Sequence, residues 1–98
     1  MLHELIVIAE LESASGLTRT EIVELVEYGA FEPVREPQGA PPEEWRFPES
    51  LIGLARDAAR LRSDFELTPP GLAMLLAYRE RVRELERRVR ELECRLPR

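Results

Sequence analysis

Thr18-Arg19-Thr20-Glu21-Ile22-Val23-Glu24-Leu25-Val26-Glu27-Tyr28-Gly29 is the stretch on which the fold turns. Thr18 and Glu21 form a capping box, in which the threonine hydroxyl accepts the N3 amide and the N3 glutamate reaches back to the cap. Behind the box Ile22, Leu25 and Val26 recur at helical spacing, and Gly29 stops the helix. Upstream, Leu5 to Ile8 reads either as a short strand or as the lead into a first helix through Ser15. That helix has no good cap and sets Ile8, Leu11 and Ala14 on one face. Gly16 supplies the break, because it tolerates the left-handed conformation that ends helices. A short helix, a glycine turn and a second, capped helix make a helix-turn-helix.

Downstream the character changes. Pro33, Pro37, Pro41, Pro42 and Pro48 forbid a helix between Phe31 and Pro48, and Gln38-Gly39 sits at a tip. Phe31–Arg35 and Glu44–Phe47 can pair across it as a small β-ribbon, a wing. Helix resumes near Glu49 with one apolar stripe of Leu51, Leu54, Ala55, Ala58, Leu61 and Phe65. Thr68-Pro69-Pro70 opens the last helix, threonine as cap and proline tolerated in the first turn.

That last helix carries heptads. Leu75, Tyr78, Val82, Leu85, Val89, Leu92 and Leu96 fall at alternating steps of three and four, an a/d seam for pairing two helices. With Val82 and Val89 at a, the g positions are Arg81, Arg88 and Arg95, and the e positions Arg79, Glu86 and Glu93. A parallel pair would set Arg81 against Glu86 and Arg88 against Glu93 of the second copy; an antiparallel pair would set arginine near arginine. The alternative is a terminal helix packed on its own domain, since about three heptads are marginal in isolation.

The chain has 98 residues, enough for one domain; 44% are hydrophobic and 34% charged. Such a composition supports a packed core with a heavily charged helical surface, and a chain this short often self-associates. The net charge of −5 is unevenly spread. Residues 1–50 hold eleven acids against three arginines, a net of −8; residues 51–98 hold eleven arginines against eight acids, a net of +3. The N-terminal half should therefore repel phosphate and attract basic partners. No lysine occurs. The N-terminus lacks the order of a signal peptide, and the longest apolar run, Leu5 to Ala9, is far too short to cross a bilayer, so a cytoplasmic protein is expected.

Catalysis finds no support. His3 is the only histidine and Cys94 the only cysteine, too few for a usual zinc site, and Cys94 has no intramolecular disulfide partner. No glycine-rich phosphate loop is present, and no cofactor or metal is expected.

The order of elements resembles the MerR regulators: helix-turn-helix, wing, helix, terminal coil. Glu27-Tyr28-Gly29-Ala30-Phe31-Glu32-Pro33-Val34-Arg35 is similar to that family's glycine-to-proline segment, and Trp45-Arg46-Phe47 to its wing strand. One branch fits better, the chaperone modulatory proteins of the CbpM type. Its pattern is matched by the apolar leader, by Val23-Glu24-Leu25 leading to Gly29 and Phe31-Glu32-Pro33, and by Trp45-Arg46-Phe47. The match continues through Ala59-Arg60-Leu61-Arg62, Asp64-Phe65-Glu66-Leu67 and Pro70-Gly71-Leu72-Ala73. The resemblance implies a mainly α, MerR-like winged helix-turn-helix over residues 1–71 and a coiled-coil or dimerisation helix over 72–98. It also implies binding to the J domain of a DnaJ-like (CbpA-type) cochaperone and restraint of that cochaperone's stimulation of Hsp70. MerR dimers pair their terminal helices antiparallel, against the charge pattern above. The long, proline-rich tip Gln38-Gly39-Ala40-Pro41-Pro42 departs from the branch and leaves the wing's part in binding open.

Charge separates the function classes. A DNA-reading helix needs basic or amide side chains facing phosphates and base edges. From Thr18 to Tyr28 this one offers Glu21, Glu24 and Glu27 with only Arg19 basic, which opposes duplex binding. The same glutamates suit the basic helix that J domains present to Hsp70. Glu21, Glu24, Glu27 and Trp45 are the expected contacts, with Phe47, on the same side of the ribbon as Trp45, packing inward; the alternatives are a solvated acidic face that serves only solubility and, for Trp45, packing against the core. The alternatives are a MerR-like transcriptional regulator using Arg35, Arg56, Arg60 and Arg62 on phosphates, and a module that only dimerises.

Overall fold

The computed structural model describes residues 4–34 and 38–96. Both readings of the leader are realised in succession: Leu5–Ile6 forms strand β1 and Ile8–Ser15 forms helix α1. The extended Val7 starts α1, and its amide donates to the Glu10 carboxylate at 3.2 Å, so the first turn is capped from within. Gly16, at φ 89°, ends it. Helix α2 spans Arg19–Glu27 behind the complete capping box: the Glu21 amide donates to Thr18 Oγ1 at 3.1 Å and the Thr18 amide to Glu21 Oε1 at 2.9 Å. Its end is a Schellman turn around Gly29 (φ 80°), with the Ala30 amide on the Leu25 carbonyl at 2.8 Å and the Gly29 amide on Val26 at 3.0 Å.

The ribbon is not the one expected. Strand β2, Phe47–Pro48, pairs antiparallel with β1 in the register Ile6 to Phe47 and Leu5 to Pro48. The Glu49 amide prolongs the pairing onto the Glu4 carbonyl at 2.9 Å. Of the proposed pairing of Phe31–Arg35 with Glu44–Phe47, only the hydrogen bond from the Val34 amide to the Arg46 carbonyl at 2.6 Å is formed among the described residues. Pro33 has no donor to give a ladder, and Pro42–Glu44 winds into a single 3-10 turn, with proline at the first position where its missing N–H costs nothing. Arg35 lies outside the described residues.

Helix α3 (Leu51–Phe65) buries Ala55, Ala58 and Ala59 against α1. The stripe read from the sequence outruns its cover: Leu51, Leu54 and Leu61 are half-buried, but Phe65 is 65% exposed. Immediately after it Glu66 turns the chain through the left-handed region at φ 52°, so no later element lies over the last turn. Helix α4 runs Pro69–Arg95. Thr68 holds the cap position without a side-chain cap bond, and Pro69 and Pro70 fill the first two helical positions, where a missing N–H costs little. Leu72, Ala73 and Leu76 of α4 enter the core with Leu11, Ile22, Leu25, Phe31 and Phe47. An Arg79–Asp57 ion pair at 3.0 Å holds α4 to α3, and beyond it α4 stands clear. The result is a mainly helical domain with a small two-stranded sheet. Among the described residues no helix is long and apolar enough to cross a membrane.

Candidate partner-binding site

Val23, Val26 and Glu27 share one face of α2 by their spacing of three and four. The Gly29 turn sends Phe31–Pro33 back along that face, and Pro42 and Trp45 close the opposite side. Between them lies an open groove of about 720 Å³ with Glu27 and Glu32 exposed at its lips. Trp45 forms part of its floor and is only 7% exposed. The indole N–H donates to the Ala40 carbonyl at 3.1 Å, and the ring meets Phe47 edge-on with centroids 6.3 Å apart. Trp45 is thus a fixed surface for an incoming side chain rather than a protruding anchor.

The four expected contacts therefore divide. Glu27 and Trp45 line the groove; Glu24, half-buried one turn back, does not. Glu21 is turned to internal use, because the Arg62 guanidinium of α3 donates to the same Oε1 that takes the Thr18 amide. Glu32, Val23, Val26 and Pro42 join Glu27 and Trp45 in the groove without being among the expected contacts. Glu32 was visible beside the Gly29-Ala30-Phe31 turn, whereas nothing local in the sequence brings Pro42 to α2.

The start of α2 is equally self-contained. The Arg19 amide donates to Glu12 Oε2 at 2.9 Å, so three of the four amides from Thr18 to Glu21 are held by the chain's own side chains. The Arg19 guanidinium, the one basic group on this helix, is paired with Glu43. A backbone hydrogen bond in its own turn, and then Arg19, hold the Glu43 carboxyl below the usual carboxylate range. Of the arginines weighed for phosphate contact, Arg56 donates to the Ala14 carbonyl at 2.9 Å and Arg62 to Glu21. Arg60 is exposed beside the cleft between α3 and α4.

Along α4 the heptad residues Tyr78, Val82, Leu85, Val89, Leu92 and Leu96 form an exposed apolar stripe, with Leu75 half-buried at its root. Arg81 and Arg88, read as partners of a second copy's glutamates, both bond Glu84 of their own helix at 3.0 and 2.9 Å. Their hydrogen bonding and charge, Arg81 first, pull the Glu84 carboxyl below its ordinary value. Cys94 is exposed.

Two helices joined by a glycine turn, a short ribbon and a projecting terminal helix define a helix-turn-helix regulator of the MerR type. Residues 6–94 match the family described as "MerR HTH family regulatory protein". The chain is 36% identical over 86 residues to a chaperone modulatory protein CbpM of Coxiella burnetii (strain Dugway 5J108-111), covering 88% of this chain and 77% of that one. A CbpM of Pseudomonas putida (strain W619) is 38% identical over 84 residues, 86% of this chain and 79% of its own. A third, from Salmonella arizonae, is 31% identical over the same length. The chain belongs to the CbpM chaperone modulatory proteins within the MerR family.

Proposed function

We propose that this chain is a chaperone modulator without catalytic activity: it binds the J domain of a DnaJ-like (CbpA-type) cochaperone and hinders that cochaperone's stimulation of Hsp70. The observation that carries this reading is the acidic face of α2 and the turn after it. Glu24, Glu27 and Glu32 are in no ion pair among the described residues, and Glu27 and Glu32 flank the groove that Val23, Val26 and Trp45 help to line. Uncompensated carboxylates around apolar surface favour a basic protein face and raise its association rate. Duplex DNA is the poorer partner, since the helix that would enter a groove carries no free cation and most of its starting amides are filled by carboxylates and a hydroxyl. The exposed α4 stripe is proposed to pair two copies, which leaves the groove open on each.

A calorimetric titration with the isolated J domain of the same organism's cochaperone, at two salt concentrations, tests this. Saturable binding that weakens with salt is expected, together with loss of J-domain stimulation of Hsp70 ATPase activity. Folded protein that fails to bind, or that binds without affecting the ATPase, would overturn it.

A further inference from the structure

We infer that the cleft where the end of α2 meets α3 and α4 is a binding site for a small carboxylic acid with an apolar body, the body lying on packed side chains of the three helices and the carboxylate held by Arg83 and Arg79. The site is separate from the groove that carries the modulator reading, and neither depends on the other.

The cleft holds about 500 Å³, a volume usual for small-ligand pockets between helices. Its floor is Ala30 after the Gly29 turn, Leu54 of α3, and Ala73 and Leu76 of α4, all buried or half-buried. Tyr28 and Ala77, both exposed, flank this floor. The charged groups stand together on the α4 wall, beyond Leu76: Arg79, Glu80 and Arg83. Two guanidiniums against one carboxylate leave that wall positive. Glu80 faces Arg87 of its own helix at 3.9 Å, whereas Arg83 is in no ion pair among the described residues. Arg79 gives one bond from Nη2 to Asp57 at 3.0 Å, which fixes the side chain and leaves other N–H groups of its five to donate. A guanidinium fork takes a carboxylate through two parallel bonds, and such bonds are stronger in a recess than on open surface. The apolar floor asks in addition for hydrocarbon, which an inorganic anion lacks. A second copy is not the occupant. At 3.6 residues per turn Ala73, Leu76, Ala77, Glu80 and Arg83 fall on the face of α4 opposite Leu75, Tyr78 and Val82, so pairing through the stripe leaves the cleft open.

The test titrates octanoate into the 15N-labelled full-length protein, with octan-1-ol as the same chain without the charge. The amides of Gly29, Ala30, Ala77 and Arg83 are expected to shift together and to saturate, and octan-1-ol to bind about tenfold more weakly than the acid. Arg83→Gln should bring octanoate toward the affinity of octan-1-ol. Ala77→Leu, at an exposed helical position, should fill the cleft and abolish the shifts, while the rest of the amide spectrum reports an unchanged fold. Octanoate shifts that fall instead on Val82, Leu85 and Val89 would overturn the site. So would equal binding of acid and alcohol, an affinity indifferent to both substitutions, or no saturable shift at all. Because no J domain enters the experiment, none of these outcomes touches the modulator reading.

Discussion

Arg62 and Glu21, forty-one positions apart, meet at one carboxylate oxygen that also accepts the amide opening α2. The capping box is thereby clamped to α3, and a local signal becomes a joint between two helices. Both side chains are mostly buried, 25% and 19% exposed. Arg62→Ala should lower stability by about 1.5 kcal/mol, because a charge-assisted bond is lost and a partly buried carboxylate keeps only its amide. Arg60→Ala, at an exposed site, should change it by less than about 0.5 kcal/mol. Urea unfolding of the two variants with equal m-values decides it, and equal midpoints would deny the clamp any part in stability.

Two helix ends use the left-handed region, and they predict opposite outcomes. Gly16→Ala should cost about 1–2 kcal/mol, through backbone strain alone. The added methyl would sit 3.9 Å from the Ala59 Cβ, an ordinary contact. Glu66 adopts φ 52° without being glycine. Glu66→Gly should therefore gain up to about 1 kcal/mol, after the larger unfolded-state entropy of glycine is subtracted. Thermal melts of both variants, moving in the same direction, would contradict this account.

Glu49 predicts a pH effect of unusual sign for a carboxylate. A hydrogen bond with Glu4, then the repulsion of that same group, burial and Glu10, raise its pKa. The folded chain thus binds the Glu49 proton more tightly than the unfolded chain does. Its contribution to stability is complete below the ordinary carboxylate range and is lost as pH rises through the raised value. Glu43 and Glu84, whose carboxyls are lowered, act oppositely, their contribution being present above the ordinary range and lost as pH falls through the lowered values. Glu4→Gln should return Glu49 toward its usual titration, read from the side-chain carboxyl carbon by NMR. An unmoved curve would separate the two groups.

Pairing through α4 is open to a direct check. Val82→Glu with Val89→Glu places charge on the middle of the exposed stripe while touching none of the buried α4 residues Leu72, Ala73 and Leu76. Sedimentation equilibrium should show a concentration-dependent dimer for the wild type and a monomer for the variant, with the amide pattern of the head unchanged. A wild-type monomer at high concentration would assign the stripe to another partner.

What the sequence made legible was what neighbours in the chain decide. The Thr18–Glu21 box, the Gly16 and Gly29 stops and the stripe of α4 all follow from residues within a few turns of one another. The failures are long-range. The β-ribbon was assigned to the nearer segment, Phe31–Arg35, although Phe47 pairs with Ile6 at the other end of the chain. Phe65 keeps perfect helical phase with Leu61, yet periodicity does not say where the covering helix stops. Trp45 reads from the sequence as core or as contact, and in the structure it is the buried floor of an open groove. Its partners there, Pro42 and Val26, are brought together only by loop closure. Glu21 looked like its neighbours Glu24 and Glu27 until Arg62 arrived from α3.

The filled start of α2 bears on how such a helix changes trade. A helix beginning with free amides is a socket for anions. Here Glu12 and Glu21 supply the anions from inside the molecule, and the socket is permanently plugged. Replacing Glu24 and Glu27 by arginine would alter the charge of the face but leave the plug in place. The step back to gripping a phosphate backbone is thus at least two changes deep, in side chains on two helices, and a single reversal on α2 meets a helix that has already closed its end.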